Sequence, residues 1–289
     1  FKMRAGMLRP VVPLKLPIVM GNEFSGVVAA VGTKVQRFKP GDAVYARVEK
    51  GRLGALAELA CVDEANAAAA PKSIDLVTAA AVPLAALTAL QALRDELRVG
   101  PGHRVLISGG AGGVGTFAIQ IAKVLGAEVT TTASPRGEAL VRALGADYVI
   151  DYTQTALSAA KGGYDAGFDL IGGSTLDDML ALVKRGGKVV SVAGVPEAQT
   201  ALQDLDGRRL LAVIFWFMSR GVRAKASRHG VSYRYLFMHP SGADLSSLAD
   251  LIDSGRMKVT VDRTFPLSET PEAIAYLESG RAKGKVLVR

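Results

Sequence analysis

Two hydrophobic periods follow each other in the first third of the chain. Residues 24–48 hold short β-branched runs separated by turn signals such as Pro40-Gly41, a pattern typical of a small β-barrel. Over residues 75–97, apolar side chains recur every three to four positions and are interrupted by Pro83. This second pattern predicts two helices that meet at Pro83.

A strand, turn and helix pattern repeats from residue 104 onwards. The predicted strands are 105–107, 128–132, 148–150, 167–171 and 188–192, and the predicted helices are 116–125, 137–144 and 176–183. Such alternation with short connections is typical of parallel βαβ units with helices on both faces of the sheet. We therefore expect an α/β fold with a doubly wound parallel sheet.

The pattern changes again after about residue 240. It predicts a helix at 245–254, a strand at 258–264, a helix at 271–279 and a last strand at 285–288. The strongly apolar run at 210–218 is far shorter than the ~20 residues of a membrane span. We expect it to be a buried strand and expect no membrane-spanning segment.

Length, cysteine content and net charge limit the number of domains and the kinds of site that this chain can have. The 289 residues exceed the usual size of one hydrophobic core, so two domains are expected. Cys61 is the only cysteine, which excludes a disulfide framework or multi-cysteine zinc site and fits a reducing, cytoplasmic location. The net charge of +8 is scattered and no nucleic-acid-binding motif is present. An anionic small ligand explains part of that charge better than nucleic acid does.

The sharpest motif is glycine-rich and lies between the predicted strand 105–107 and a helix. It reads Gly110-Ala111-Gly112-Gly113-Val114-Gly115 and matches G-x-G-x-x-G. The glycines allow a tight turn, close approach to a pyrophosphate and close packing of helix on strand. The free N–H groups of the helix start then receive the phosphate charge. Because no Lys-Ser or Lys-Thr follows the motif, it indicates a dinucleotide site rather than a phosphate-only loop.

The end of the second strand indicates which dinucleotide binds. NAD sites commonly place Asp or Glu there to hold the ribose, whereas this chain continues from Ala133 with Ser134-Pro135-Arg136. The Ser134 hydroxyl and the Arg136 guanidinium can bind a 2′-phosphate, which favours NADPH. The alternative is that Ser134 caps the next helix and Arg136 is a solvated residue of its first turn.

These features together resemble the medium-chain dehydrogenase/reductase superfamily, in particular its zinc-free quinone oxidoreductase branch. Residues 21–28, 31–32 and 38–44 are similar to the signature of its catalytic domain, and residues 79–83 and 144–147 follow in family order. The resemblance covers nearly the whole chain.

The resemblance implies a Rossmann cofactor domain inserted into a GroES-like β-barrel catalytic domain. The expected domains are 1–87 (partial catalytic domain), 88–240 (Rossmann domain) and 241–289 (return to the catalytic domain). Family members carry a further segment before the point that matches Phe1, so the N-terminal part is expected to be missing. Residues 230–235 and 264–267 are similar to the mitochondrial reticulon-interacting subfamily and its bacterial relatives.

Further site residues are implied by the same resemblance. Tyr152 would support the adenosine phosphate beside Ser134 and Arg136, with plain packing at a strand end as its alternative. Strand-end backbone would line the nicotinamide half at Gly172, Ala193, Gly194 and Val195. Asn22 stands where metal-dependent members have a zinc-binding His, and the three His of this chain are not paired at metal spacing, so no zinc is expected.

The expected reaction is hydride transfer from NADPH to a quinone or an α,β-unsaturated carbonyl, since such an acceptor needs no metal to be polarised. Asn22 and Tyr45 are the catalytic candidates; Asn22 would donate to a developing oxyanion or merely satisfy its own turn. Phe237 and Met238 would press on a flat substrate or pack in the core. An enoyl-thioester reductase and a non-catalytic NADPH-binding protein remain alternatives.

A homodimer is expected as well. Residues 208–218 could pair edge to edge with a second copy. Tyr233 and Tyr235 could alternatively belong to a subunit interface.

Overall fold

The structure is a computed structural model that describes residues 17–289. This part of the chain forms two compact units, one made of residues 17–87 and 239–289 and the other of residues 88–238. The remaining residues of the first range, 1–16, are outside the description.

Strands and helices are numbered in chain order. The strands are β1 (Glu23–Val27), β2 (Ala43–Arg47), β3 (Ala67–Ala69), β4 (Arg104–Ile107), β5 (Glu128–Ala133), β6 (Tyr148–Asp151), β7 (Tyr164–Asp169), β8 (Val183–Ser191), β9 (Ser232–Tyr235), β10 (Val261–Phe265) and β11 (Lys285–Val288). The α-helices are α1 (Leu76–Ala79), α2 (Pro83–Leu90), α3 (Gly113–Val124), α4 (Pro135–Ala143), α5 (Gly173–Leu182), α6 (Arg209–Met218), α7 (Arg220–His229), α8 (Gly242–Asp253) and α9 (Thr270–Glu278).

The unit of residues 88–238 is built on a parallel sheet in the order β6-β5-β4-β7-β8-β9. Its central strand β4 carries Val105, Leu106 and Ile107, all fully buried. Helix α3 buries Phe117 and Ile119 in the same unit. A strand covered on both faces reads as a continuous apolar run. The doubly wound parallel sheet predicted from the alternation is therefore confirmed.

The unit of residues 17–87 and 239–289 holds two smaller sheets. Strands β1, β2 and β3 form an antiparallel sheet, and β10 pairs in parallel with β11. Helix α8 lies close to β3, because a Cβ on Gly242 would come within 2.4 Å of the Ala67 carbonyl oxygen. Helix α1 ends before Pro83 and α2 begins at it, as predicted.

The apolar run at 210–218 is not a buried strand, which corrects the expectation from the sequence. It forms helix α6, of which only Ala212 and Phe215 are buried. A run without polar positions carries no period that separates a strand from a helix. A helix also satisfies its backbone hydrogen bonds internally, so edge-to-edge pairing of residues 208–218 with a second copy is wrong. Within residues 17–289, every helix is too short or too polar to cross a membrane.

Candidate cofactor-binding site

The glycine-rich segment forms the turn from β4 into α3. Gly112 occupies the N-cap of α3, and it provides no side-chain cap for the amides of the first turn. The Gly112 N–H itself donates to the Gly109 carbonyl at 3.0 Å. First-turn amides have no acceptor within their own helix, so the start of α3 presents free donors and the positive end of the helix dipole. This arrangement binds anions.

Two of the glycines are required by close packing of backbone and side chains. A Cβ on Gly115 would lie 2.3 Å from the Gly109 carbonyl oxygen, and one on Gly110 would lie 2.2 Å from the Thr131 hydroxyl. A Cβ on Gly112 would meet only the Gly109 oxygen, at 3.3 Å. The first and third glycines of the motif thus close the turn, and the second leaves its outer side open. Helix α4 approaches the same loop, since a Cβ on Gly137 would lie 2.8 Å from that of Ala111.

The ends of β5 and β6 bring the residues predicted for the adenosine phosphate together. Ala133 and Asp151 are partners in the register, so Ser134 and Tyr152, which follow them directly, are neighbours at the carboxyl edge. Ser134 is the N-cap of α4, but its hydroxyl makes no capping hydrogen bond. Arg136 and Tyr152 are both exposed. This strand end thus offers a hydroxyl, an exposed guanidinium and an exposed phenol.

A buried polar network joins the ends of three neighbouring strands, and sequence reasoning missed it. The fully buried Asp169 carboxylate accepts hydrogen bonds from the Ser108 hydroxyl at 3.0 Å and the Ser191 hydroxyl at 2.7 Å. It also accepts from the Gly172 N–H at 3.0 Å. The signal in the sequence is that the apolar runs of β4, β7 and β8 each end in one of these polar residues.

Hydrogen bonds from this network also hold the loops after β7 and β8. These loops contain the residues predicted to line the nicotinamide half of the cofactor. The Ser191 hydroxyl oxygen accepts from the N–H groups of Ala193 at 3.1 Å and Gly194 at 2.8 Å. The Tyr233 hydroxyl donates to the Val195 carbonyl at 2.8 Å, and burial raises the pKa of this phenol. Backbone next to the ends of β7 and β8 is therefore held by side chains beneath it.

A close approach of two loops accounts for one further glycine. Gly172 has a φ of 81°, and a Cβ there would lie 2.6 Å from the Ala193 carbonyl oxygen. The loops after β7 and β8 can touch only because this position lacks a side chain.

The catalytic candidates Asn22 and Tyr45 have contrasting surroundings in the other unit. Tyr45 is fully buried, its hydroxyl donates to the Leu245 carbonyl at 2.5 Å, and burial raises its pKa. Tyr45 is thus a core link between β2 and α8. By contrast, Asn22 Oδ1 and Arg47 Nε are buried without a hydrogen-bond partner in the described part of the chain. A buried acceptor and a buried donor thus lack partners in the described residues, and the sequence did not point to Arg47.

The substrate candidates Phe237 and Met238 follow the edge strand β9. Met238 is buried, and Phe237 is half-buried with its N–H donating to an Asp204 carboxylate oxygen at 3.0 Å. Both positions are consistent with the core role that the sequence left open. Among residues 17–289, no group of three or more His, Cys, Asp or Glu is placed to hold a metal ion.

Strand β9 also contains Arg234, a buried arginine that the sequence did not reveal. Its guanidinium pairs with Glu96 at 3.2 Å, Glu197 at 3.0 Å and Asp204 at 2.7 Å. Lys188 pairs with the second Glu96 oxygen at 2.7 Å. Burial alone raises the pKa of Glu96, but the hydrogen bond from Lys188 and the charge of Arg234 outweigh it, so the net pKa is lowered.

This lowered pKa predicts acid sensitivity. The folded-state pKa of Glu96 lies below its usual value of 4.5, so near that pH the unfolded chain binds more protons than the folded one and stability rises with pH. The contribution of the ionised Glu96 carboxylate to the free energy of unfolding is complete above pH 4.5. It is lost as the pH falls through the pKa of Glu96 in the folded state. We expect the thermal unfolding midpoint to fall with acid less steeply in Glu96→Gln than in the parent. The exposed Glu49→Gln is the control, and equal slopes in all three proteins would contradict the prediction.

Comparisons with known proteins identify the family to which this fold belongs. The family models described as alcohol dehydrogenase GroES-like domain and zinc-binding dehydrogenase match residues 1–72 and 144–288. The mouse protein named NAD(P)H oxidoreductase RTN4IP1, mitochondrial, is 39% identical over 290 residues, covering 95% of this chain and 71% of that protein. The chain belongs to the medium-chain dehydrogenase/reductase family. As a member it is an oxidoreductase, with a GroES-like unit and a Rossmann unit as predicted.

Two further proteins are similar to this chain, one by sequence and one by structure. The Arabidopsis thaliana protein named NADPH-dependent alkenal/one oxidoreductase, chloroplastic, is 37% identical over 284 residues, covering 94% of this chain and 64% of that protein. The structure of the quinone oxidoreductase from Coxiella burnetii aligns with a TM-score of 0.82 and 30% identity, covering 98% of this chain and 82% of that one. The mitochondrial and chloroplastic names correct the cytoplasmic location expected from the sequence.

Proposed function

We propose that this dehydrogenase/reductase uses NADPH to reduce a quinone or an α,β-unsaturated carbonyl, without a metal ion. The observation that carries the proposal is the strand end at which Ser134 and Tyr152 are neighbours, with Arg136 exposed two residues on. Asp151, at the end of β6, accepts hydrogen bonds from the Thr153 N–H at 2.9 Å and from the Thr153 hydroxyl at 2.7 Å. The names of the similar alkenal/one and quinone oxidoreductases support the same reaction.

The residues present fit such a dinucleotide. A turn closed by Gly110 and Gly115 leaves the amides at the start of α3 free to hold a pyrophosphate. The Ser134 hydroxyl and the Arg136 guanidinium would bind the 2′-phosphate, with Tyr152 packing beside it. The backbone after strands β7 and β8 would line the nicotinamide end of the cofactor, at Gly172, Ala193, Gly194 and Val195.

The protein's own contribution to the chemistry is position and polarity. NADPH, when bound, supplies the hydride. The Asp169 network holds the loops after β7 and β8 through hydrogen bonds, and these loops would position the nicotinamide end of the cofactor. Asn22 remains our candidate for donating a hydrogen bond through its amide Nδ2 to the acceptor oxygen as charge collects on it, and water supplies the proton. With Asn22 at the position of the zinc-binding His of metal-dependent members, the donor set does not suit zinc.

The acceptor class is tested by NADPH oxidation with a simple quinone, an α,β-unsaturated ketone and an enoyl thioester in parallel. We expect turnover with the first or second acceptor and little with the third. Turnover with the thioester alone would replace the proposed substrate class. Tight NADPH binding without turnover of any acceptor would contradict the proposed function.

Cofactor selectivity provides a second prediction. In Arg136→Ala, kcat/KM for NADPH should fall about 10- to 100-fold, because a charge-assisted contact to the 2′-phosphate is lost, while kcat/KM for NADH should stay nearly constant. The matched control is Arg142→Ala on the same helix, whose guanidinium pairs with Glu138 at 2.8 Å. Equal losses with both cofactors in Arg136→Ala would show that Arg136 does not read the 2′-phosphate.

The homodimer also remains a proposal. Its route through strand pairing at residues 208–218 is removed by helix α6, so a dimer cannot form through edge-to-edge strands there. Sedimentation of the purified chain over a range of concentrations distinguishes monomer from dimer.

A further inference from the structure

Helix α6 exposes a continuous stripe of large apolar side chains. Leu210, Val213, Ile214 and Phe217 follow the i, i+3, i+4, i+7 spacing of one helix face, and they are between 47% and 78% exposed. The opposite side of the helix buries Ala212 and Phe215. We call these four exposed residues the α6 face. Contiguous apolar surface of this kind marks an interaction site.

The segment that contains helices α6 and α7 is basic, although Asp206 precedes it and its lysine, Lys225, pairs with Asp177 at 2.5 Å. Residues 208–229 contain six Lys and Arg residues and no Asp or Glu, which is most of the formal net charge of +8. The basic residues are Arg208, Arg209, Arg220, Arg223, Lys225 and Arg228. Arg209 and Arg220 flank the two ends of α6 and are exposed. A partner for this surface must therefore be apolar in its interior and anionic at its rim.

That charge pattern favours a lipid surface over a second copy of the chain. A twofold contact through the α6 face would bring two clusters of like charge together. An anionic membrane instead offers acyl chains to the apolar face and phosphates to the flanking arginines. We propose that α6 lies in the plane of an anionic lipid surface, with the α6 face inserted at the boundary between headgroups and acyl chains.

The aromatic residues of α6 suit this placement. Trp216 is about half-exposed, and its ring meets Phe217 edge to face at 4.9 Å between centroids. The Arg223 guanidinium lies 5.0 Å from the centre of the Trp216 ring and donates to its carbonyl at 3.0 Å. Tryptophan beside arginine is typical of the membrane interface, where an apolar ring and a cation are both accommodated.

Trp216 is the only tryptophan of the chain, so its fluorescence reports on α6 directly. The full chain is mixed with phosphatidylcholine vesicles, with or without phosphatidylglycerol. We expect a blue shift of the emission and sedimentation of the protein only with the anionic vesicles, both reduced by high salt.

Paired variants then test whether the α6 face carries the binding. Phe217→Glu and Leu210→Glu should each lower the vesicle-bound partition coefficient about tenfold or more. Leu59→Glu is the matched control, because Leu59 and Leu210 are both 78% exposed. Arg209→Glu with Arg220→Glu should also weaken binding, and the exposed Arg256→Glu should weaken it less. A variant counts as folded when its thermal unfolding and its NADPH binding match those of the parent. If the glutamate variants of the α6 face do not fold, Leu210→Ser serves as the milder polar substitution.

Three results would overturn the proposal. The first is the absence of a shift and of sedimentation with anionic vesicles. The second is equal binding by the Leu210, Phe217 and Leu59 variants, which would separate binding from the α6 face. The third is a concentration-dependent blue shift without lipid that coincides with dimer formation in sedimentation, which would assign the α6 face to a second copy.

Discussion

Replacement of Gly115 by alanine is expected to weaken NADPH binding about 100-fold. The new Cβ would lie 2.3 Å from the Gly109 carbonyl oxygen and 2.7 Å from the Gly110 Cα. Both are backbone atoms, so neither can rotate away, and the start of α3 must separate from the glycine turn. The phosphate-binding amides then lose their alignment, and the overpacking itself costs about 1–3 kcal/mol.

Calorimetric titration with NADPH measures this effect directly. Gly100→Ala is the matched control in the same unit, because no heavy atom lies within 4 Å of the Cβ that it adds. We expect the control to bind NADPH as the parent does. If Gly115→Ala bound NADPH within a few-fold of the parent while Gly100→Ala did the same, the turn before α3 would not be the pyrophosphate site.

The features that the sequence predicts well are those encoded by neighbouring residues. The turn from β4 to α3 is an example, since its glycines, the apolar strand before it and the helix after it stand within one short segment. Helix α6 is the counterexample. A run such as Val213-Ile214-Phe215 has no polar position to set a period, so its secondary structure depended on which of its residues the rest of the chain covers.

Contacts between distant residues account for what the sequence did not reveal. Arg234 meets Glu96 across 138 positions of the chain, and Tyr45 meets Leu245 across 200. Nothing local marks Arg234 as buried, because an arginine on an edge strand is ordinarily solvated. Asn22 was singled out through a family resemblance, whereas the unpartnered Arg47 Nε beside it was visible only in the folded chain. The local motif predicts where a cofactor phosphate would bind, whereas these long-range pairs are visible only in the folded chain.

Replacement of Asp169 by leucine is expected to have the largest effect on stability. Leucine leaves the Ser108 and Ser191 hydroxyls and the Gly172 N–H buried without their acceptor, and loss of charge-assisted buried hydrogen bonds should lower the free energy of unfolding by about 3–5 kcal/mol. Urea unfolding measures this change.

Ser191→Ala provides the graded comparison for Asp169. It removes one hydroxyl donor while Asp169 keeps Ser108 and Gly172 as donors, so a loss of about 1 kcal/mol is expected. NADPH affinity should fall in both variants, because the Ala193 and Gly194 N–H groups lose the Ser191 oxygen or its support. A purely structural role would lower stability and leave the affinity of the folded fraction intact. Reduced affinity in a fully folded Ser191→Ala protein would therefore identify the network as a positioning device for the cofactor loops.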